Sequence, residues 1–196
     1  MAEKNLNVGR RQFLTAATSV VAVAGAVGVA VPFVGSWNPS AKAKAAGAPV
    51  KFDVSKMEPG QLVRVEWRGQ PVFVIRRTKE QIDDLSSIDN LLKDPNSMVS
   101  SQPDYVDSRN RALKEEFLDL VGLCTHLGCS PKYIEKLDVS APDSEWKGGF
   151  FCACHGSKFD MAGRVYKGVP ASENLVVPPY RYQSESVIEI GLDGAV

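Results

Sequence analysis

The sequence predicts a mainly β protein, an antiparallel β head on a single N-terminal transmembrane helix, and three observations predict it. From Gln12 to Ala41 there is no ionisable side chain, although the 196 residues include 23 basic and 23 acidic ones. Downstream, LVRVEWRG (Leu62 to Gly69) sets Val63, Val65 and Trp67 against Arg64, Glu66 and Arg68. That period of two marks a half-buried strand. Similar short stretches recur between Gly and Pro turns, the pattern of antiparallel rather than parallel sheet.

Taken in order, the chain opens with Arg10-Arg11 followed by Phe13-Leu14, directly before the apolar run. This order resembles the twin-arginine export signal, an address read by a receptor rather than by the bilayer. The run from Phe13 to about Val34 has about 22 residues, enough to cross a hydrocarbon core of roughly 30 Å. Ala24, Gly25 and Gly28 leave room for a neighbouring helix to approach closely. A cleaved signal is the rival reading, with AKAKAA as its cleavage region, but signal cores run only about 7–15 residues. Retention is therefore expected. Lys4, Arg10 and Arg11 against Glu3 place the N-terminus in the cytoplasm and the rest of the chain across the membrane. Asn38 to Pro49 (NPSAKAKAAGAP) lacks apolar periodicity and reads as a linker. The expected division is residues 1–12 cytoplasmic arm with the export signal, 13–35 transmembrane helix, 36–50 linker or hinge, and 51–196 head.

In the head, Gly69 and Gln70 are expected to turn LVRVEWRG into PVFVIRR. Thr78 and Gln81 fit a capping box, after which Ile82, Leu85 and Ile88 follow helical spacing. The polar, Pro-interrupted stretch to Arg111 reads as an insertion with at most a short helix or two. Strand character returns at EEFLDLVGLC, GGFFC, NLVVPPYRYQ and SVIEIGLDG. The balanced charge gives no support for a nucleic-acid partner, which calls for a basic face.

The chain has only four cysteines and two histidines, and they fall into two groups, CTHLGC (Cys124 to Cys129) and CACHG (Cys152 to Gly156). Two disulfides suit an exported protein but leave both histidines idle. A structural zinc site takes four N/S ligands, and six overfill it. A thioredoxin-like pair needs Cys-x-x-Cys, which is absent. A Rieske [2Fe–2S] centre takes two cysteines and two histidines.

The paired boxes C-T-H-L-G-C and C-x-C-H-G-S resemble the signature of the high-potential Rieske proteins of cytochrome bc complexes, and the anchor, linker and insertion resemble that family too. The resemblance implies an antiparallel β-sandwich head with an inserted cluster-binding subdomain. It implies one Rieske-type [2Fe–2S] cluster, held by Cys124 and His126 from one loop and Cys152 and His155 from the other. It further implies a Cys129–Cys154 disulfide, a Ser157 hydroxyl donating toward a cluster sulfide, and Leu127 as the apolar tip that docks on a partner subunit. Gly168 to Asn174 (GVPASEN) resembles a proline-containing loop covering the cluster from a third side. Many members carry a tyrosine donor where this chain has Phe159, which implies a potential in the lower part of the family's range.

Neutral imidazoles make such a cluster less negative than thiolates do, and each keeps a ring nitrogen that can bind a proton. The resemblance therefore implies the iron–sulfur subunit of a bacterial ubiquinol–cytochrome c oxidoreductase. His155 is its catalytic, quinol-facing ligand, and ubiquinol, cytochrome b and cytochrome c1 are its partners. The implied setting is a dimeric complex in the bacterial inner membrane, with one span and a periplasmic head. The alternatives are a Rieske subunit of another exported oxidoreductase, arsenite oxidase-like or plastoquinol-oxidising, a soluble Rieske ferredoxin, or a zinc or disulfide structural module.

Overall fold

The computed structural model describes residues 7–193, in two units that meet between Ala45 and Ala46. Glu3 and Lys4, used above for orientation, lie outside the described residues, as do the last three positions of the head.

The first unit is built on helix α1, Val8–Gly35, which is long and apolar enough to cross a membrane. At 1.5 Å per residue it extends about 42 Å. It starts before the apolar run and takes in Arg10 and Arg11, because the Asn7 side chain caps it by accepting the Arg10 amide at 3.1 Å. The Thr15 and Thr18 hydroxyls donate back to the carbonyls of Arg11 and Leu14, so neither brings an unpaired donor into an apolar surround. A short helix α2, Ala41–Ala46, forms inside the expected linker, with the Ser40 hydroxyl accepting the Ala43 amide at its start.

Among its described residues the second unit holds three antiparallel sheets of three strands each. One has the order β1 (Val50–Asp53), β9 (Val187–Ile190), β8 (Tyr180–Tyr182). Another runs β2 (Leu62–Trp67), β3 (Gln70–Arg76), β4 (Phe117–Val121). The third is β5 (Lys132–Ile134), β6 (Gly149–Cys152), β7 (Ser157–Phe159). This third sheet lies wholly between β4 and β8 in sequence, so it is an inserted subdomain on a base of two sheets. One core joins all three, running through Val72 and Val74, Leu118 and Leu120, Phe150 and Phe159, and Ile188 and Ile190. Phe73 of β3 stacks on Phe150 of β6 at 5.7 Å between ring centres, so base and insertion are packed directly together.

Two local expectations shift. The β2–β3 turn is centred on Arg68 and Gly69, both with positive φ (53° and 70°), and Gln70 already pairs with Trp67. Two central residues of positive φ are what a tight hairpin of the strands' own twist needs. Of NLVVPPYRYQ only Tyr180–Tyr182 becomes strand, because Pro178 and Pro179 have no amide to give a ladder. The capping box forms as expected, with Thr78 accepting from the Gln81 amide and the Gln81 side chain returning to Thr78. Helix α3, Lys79–Asp84, and a 3-10 helix, Leu85–Leu91, follow within the polar insertion.

Candidate metal centre

Strand β4 delivers the first loop. Gly122 continues it with its amide on the Pro71 carbonyl at 2.7 Å, and a Cβ there would lie 2.5 Å from the Phe73 ring, so only glycine fits. Cys124 then donates its amide to the Cys129 carbonyl at 2.8 Å, closing CTHLGC on itself. The second loop connects β6 to β7, with Cys152 ending one strand and Ser157 opening the other. The two loops share one device. Four residues after its first cysteine each has a glycine whose amide returns to that cysteine's carbonyl at 2.9 Å, Gly128 to Cys124 and Gly156 to Cys152. Both glycines sit at positive φ (80° and 77°), where a side chain is strained.

This geometry brings the six sulfur and imidazole groups together. Cys129 and Cys154 form a disulfide that ties the loops, while Cys124 and Cys152 remain free thiols, both buried. The sulfurs of Cys129, Cys152 and Cys154 lie within 4.8 Å of one another, but two of the three are spent on the disulfide. The His126 and His155 rings meet edge to face, 4.8 Å between centres and 89° between planes. His155 is exposed and His126 half-buried. Among the described residues the buried His126 Nδ1 has no hydrogen-bond partner. Burial, and then the neighbouring Cys124 sulfur, push the Cys152 thiol up. Two buried thiols side by side and an unpartnered imidazole nitrogen are costly in an apo protein. A bound cation reverses that cost by deprotonating the thiols and taking the nitrogen lone pair. The residues thus fit a metal cluster with two sulfur and two nitrogen donors.

Around this set, Leu127 is 71% exposed at the tip of the first loop, so it is not packed beneath it. Ser157 is fully buried and Phe159 packs in the core. The Gly168–Asn174 segment closes over both loops, with the Thr125 hydroxyl donating to the Glu173 carbonyl at 2.6 Å and the Ala171 amide to Ser157 Oγ at 3.0 Å. Below the second loop, three buried arginines hold the Asp160–Arg164 turn. Arg77 donates to the Met161 carbonyl, Arg111 to those of Ala162 and Gly163, and Arg164 pairs with Asp160 and Asp89. Burial lowers both Arg77 and Arg111 to about 10, with Asp160 opposing the shift. Sequence reasoning missed these arginines, since nothing in an isolated Arg predicts burial against carbonyls far along the chain.

An inserted β subdomain presenting two glycine-closed loops of cysteine and histidine is the architecture of a Rieske-type iron–sulfur protein, and residues 92–181 match the family model described as Rieske [2Fe-2S] domain. Residues 1–40 match a second, described as Ubiquitinol-cytochrome C reductase Fe-S subunit TAT signal. The chain is 53% identical over 193 residues to the ubiquinol-cytochrome c reductase iron-sulfur subunit of Allochromatium vinosum, covering 98% of this chain and 93% of that one. Subunits of the same description from Blastochloris viridis and Rhodospirillum rubrum are 42% and 41% identical, each over 93% of this chain, covering 92% and 91% of theirs. A chain of a solved structure, Hyperthermophilic respiratory Complex III, aligns with 88% of this chain and 98% of its own at 24% identity and a TM-score of 0.47. The chain belongs to the family of ubiquinol–cytochrome c reductase iron–sulfur subunits. It carries a Rieske [2Fe–2S] cluster, serves electron transfer in an oxidoreductase complex, and is membrane-anchored with a twin-arginine signal.

Proposed function

We propose that this chain is the catalytic subunit that takes one electron from ubiquinol at the periplasmic face of a bacterial inner membrane and passes it to cytochrome c1, while cytochrome b takes the second. The ligands are Cys124, His126, Cys152 and His155, and the cluster they hold supplies a one-electron carrier when bound. The observation that carries this reading is the exposed His155 ring meeting the His126 ring edge to face, with the exposed Leu127 next to His126 in the chain and two free thiols buried.

A quinol loses two protons with its two electrons. His155 accepts the hydrogen bond and then the proton of one quinol hydroxyl at the ring nitrogen that the cluster would leave free, since imidazole offers a second nitrogen that can bind a proton. Leu127 shields that approach from water and seats on cytochrome b. Ser157 donates its hydroxyl toward the cluster, which favours the reduced state and raises the potential. The Cys129–Cys154 disulfide and Gly128 and Gly156 hold the two loops at fixed separation, so the reduced and oxidised forms require little rearrangement. The division into arm 1–12, span 13–35, linker 36–50 and head 51–196 lets a tethered head visit both partners within a dimeric complex.

The test is a redox titration of the purified chain, followed by EPR, at several pH values. A [2Fe–2S] signal whose potential falls as pH rises through the alkaline range marks ionising imidazole ligands. A strongly negative, pH-independent potential overturns the ligand set and the quinol chemistry with it.

A further inference from the structure

Ser157 is fully buried, and its oxygen accepts the Ala171 amide at 3.0 Å. A hydroxyl that accepts one bond in a fixed direction still has its single proton to place. Ser157 stands opposite Cys152 across the β6–β7 pair, so the side on which that proton falls depends on where Ala171 is held. Ala171 belongs to Gly168–Asn174, which has no helix or strand of its own.

That segment takes its position from residues 93–97. The Lys93 ammonium donates to the carbonyls of Val169 at 2.9 Å and Ala171 at 2.6 Å, one on each side of Pro170. Its backbone amide donates to the Val165 carbonyl at 3.0 Å, which fixes the base of the side chain. The far end is pinned by Asn174, which donates to the Asp94 carbonyl at 3.0 Å and Ser97 Oγ at 3.2 Å and accepts the Val165 amide at 2.8 Å. Among the described residues no carboxylate forms an ion pair with Lys93. The charge is therefore devoted to two backbone carbonyls, and a charged donor makes a stronger bond than a neutral one.

We infer that Lys93 is a positioning residue for the iron–sulfur site: by clamping the Val169 and Ala171 carbonyls it holds the Ala171 amide on Ser157 and so keeps the Ser157 hydroxyl as a donor toward the cluster. The inference rests on the ligand set and the Ser157 role proposed above. It makes the polar insertion part of the device that sets the potential, although no residue of it is a proposed ligand.

The experiment compares the full-length, cluster-loaded chain with Lys93→Met, Lys93→Arg, Ser157→Ala and the double variant Lys93→Met/Ser157→Ala, reading midpoint potential and EPR g-values. Lys93 is exposed, so Lys93→Met keeps the fold, which a melting curve checks, and Lys93→Gln serves as a second neutral variant. The expected result has three parts. Lys93→Met lowers the potential by a substantial fraction of the drop in Ser157→Ala, Lys93→Arg restores most of it, and Lys93→Met adds little once Ser157 is Ala. A full additional drop in the double variant overturns the inference, because the lysine charge then acts directly on the cluster rather than through Ser157. An unchanged potential in both Lys93→Met and Lys93→Gln, with Ser157→Ala still lowered, overturns it and leaves the Ser157 role standing. If Ser157→Ala alone leaves the potential unmoved, the Ser157 role fails and the inference fails with it.

Discussion

Asp119 lies in the middle of β4, opposite Val74, fully buried, and among the described residues neither of its carboxylate oxygens has a hydrogen-bond partner. Burial raises it to about 7 from 3.8, with Arg77 only partly opposing the shift. Its charge in turn helps burial push the Tyr180 and Tyr182 hydroxyls upward. The folded state thus holds this proton more tightly than the unfolded chain does, so the group costs nothing below about pH 4 and its penalty grows until pH reaches about 7. At 1.36 kcal/mol per unit the full penalty is about 4 kcal/mol, of which about 3 kcal/mol develops between roughly pH 5 and pH 8. Asp119→Asn keeps the shape and removes the titration. Melting curves of the intact chain in detergent, followed by circular dichroism, therefore separate the two proteins by pH. For a domain of this size 1 kcal/mol moves the midpoint by about 2–4 °C. Between those two pH values wild type should lose about 6–12 °C more than Asp119→Asn. Other titrating groups cancel in that difference. Equal pH dependence in the two proteins would refute the reasoning, since Asp119 would then be ionised in a solvated or paired environment.

Four further outcomes follow from the same structure. The Cys129–Cys154 bond spans 25 residues, and Cys129→Ala with Cys154→Ala should cost about 3.5 kcal/mol by loop-closure entropy, read as earlier loss of the [2Fe–2S] absorbance on heating. Arg164→Met removes the buried ion-pair partner of Asp160 and leaves that carboxylate with its two backbone amides and the more distant charges of Arg77 and Arg111, so denaturant unfolding should show a loss of about 3 kcal/mol. Phe159→Tyr introduces a hydroxyl donor and should raise the midpoint potential in an EPR-monitored titration; an unchanged value would mean that the hydroxyl finds a partner away from the cluster. On the docking role proposed for Leu127, Leu127→Asp should slow quinol oxidation in the assembled complex roughly 10-fold or more, since charging a residue that is desolvated on docking costs over about 1.4 kcal/mol. The potential of the same variant should stay unchanged, which a redox titration checks.

Much of this protein is legible in local sequence because the physics involved is local. An uncharged run of span length marks α1, alternation marks β2, and a Thr-x-x-Gln box marks the start of α3. The scarce cysteines and histidines point to one metal site because few other arrangements use them all. Short strands such as β5 and β7, of three residues each, carry too little pattern to be read. The start of α1 escaped for a different reason, since it depends on one capping side chain, Asn7.

What sequence alone determined is therefore the class of each part: an anchor, a β head, and two loops rich in soft ligands. Which cysteines stay free was implied by family resemblance, and in the folded chain Cys129 pairs with Cys154 while Cys124 and Cys152 lie buried as thiols. Only tertiary structure decided the fate of the polar residues. Asp119 lies in EEFLDLVGLC, which its pattern marks only as strand, and the structure covers both faces of β4. Lys93 and Asn174 read as surface and loop, yet their bonds reach 76 to 80 residues along the chain to hold the segment over the site. Burial and long-range hydrogen bonding depend on which distant segments arrive at the same place, and no local pattern of side chains encodes that arrival.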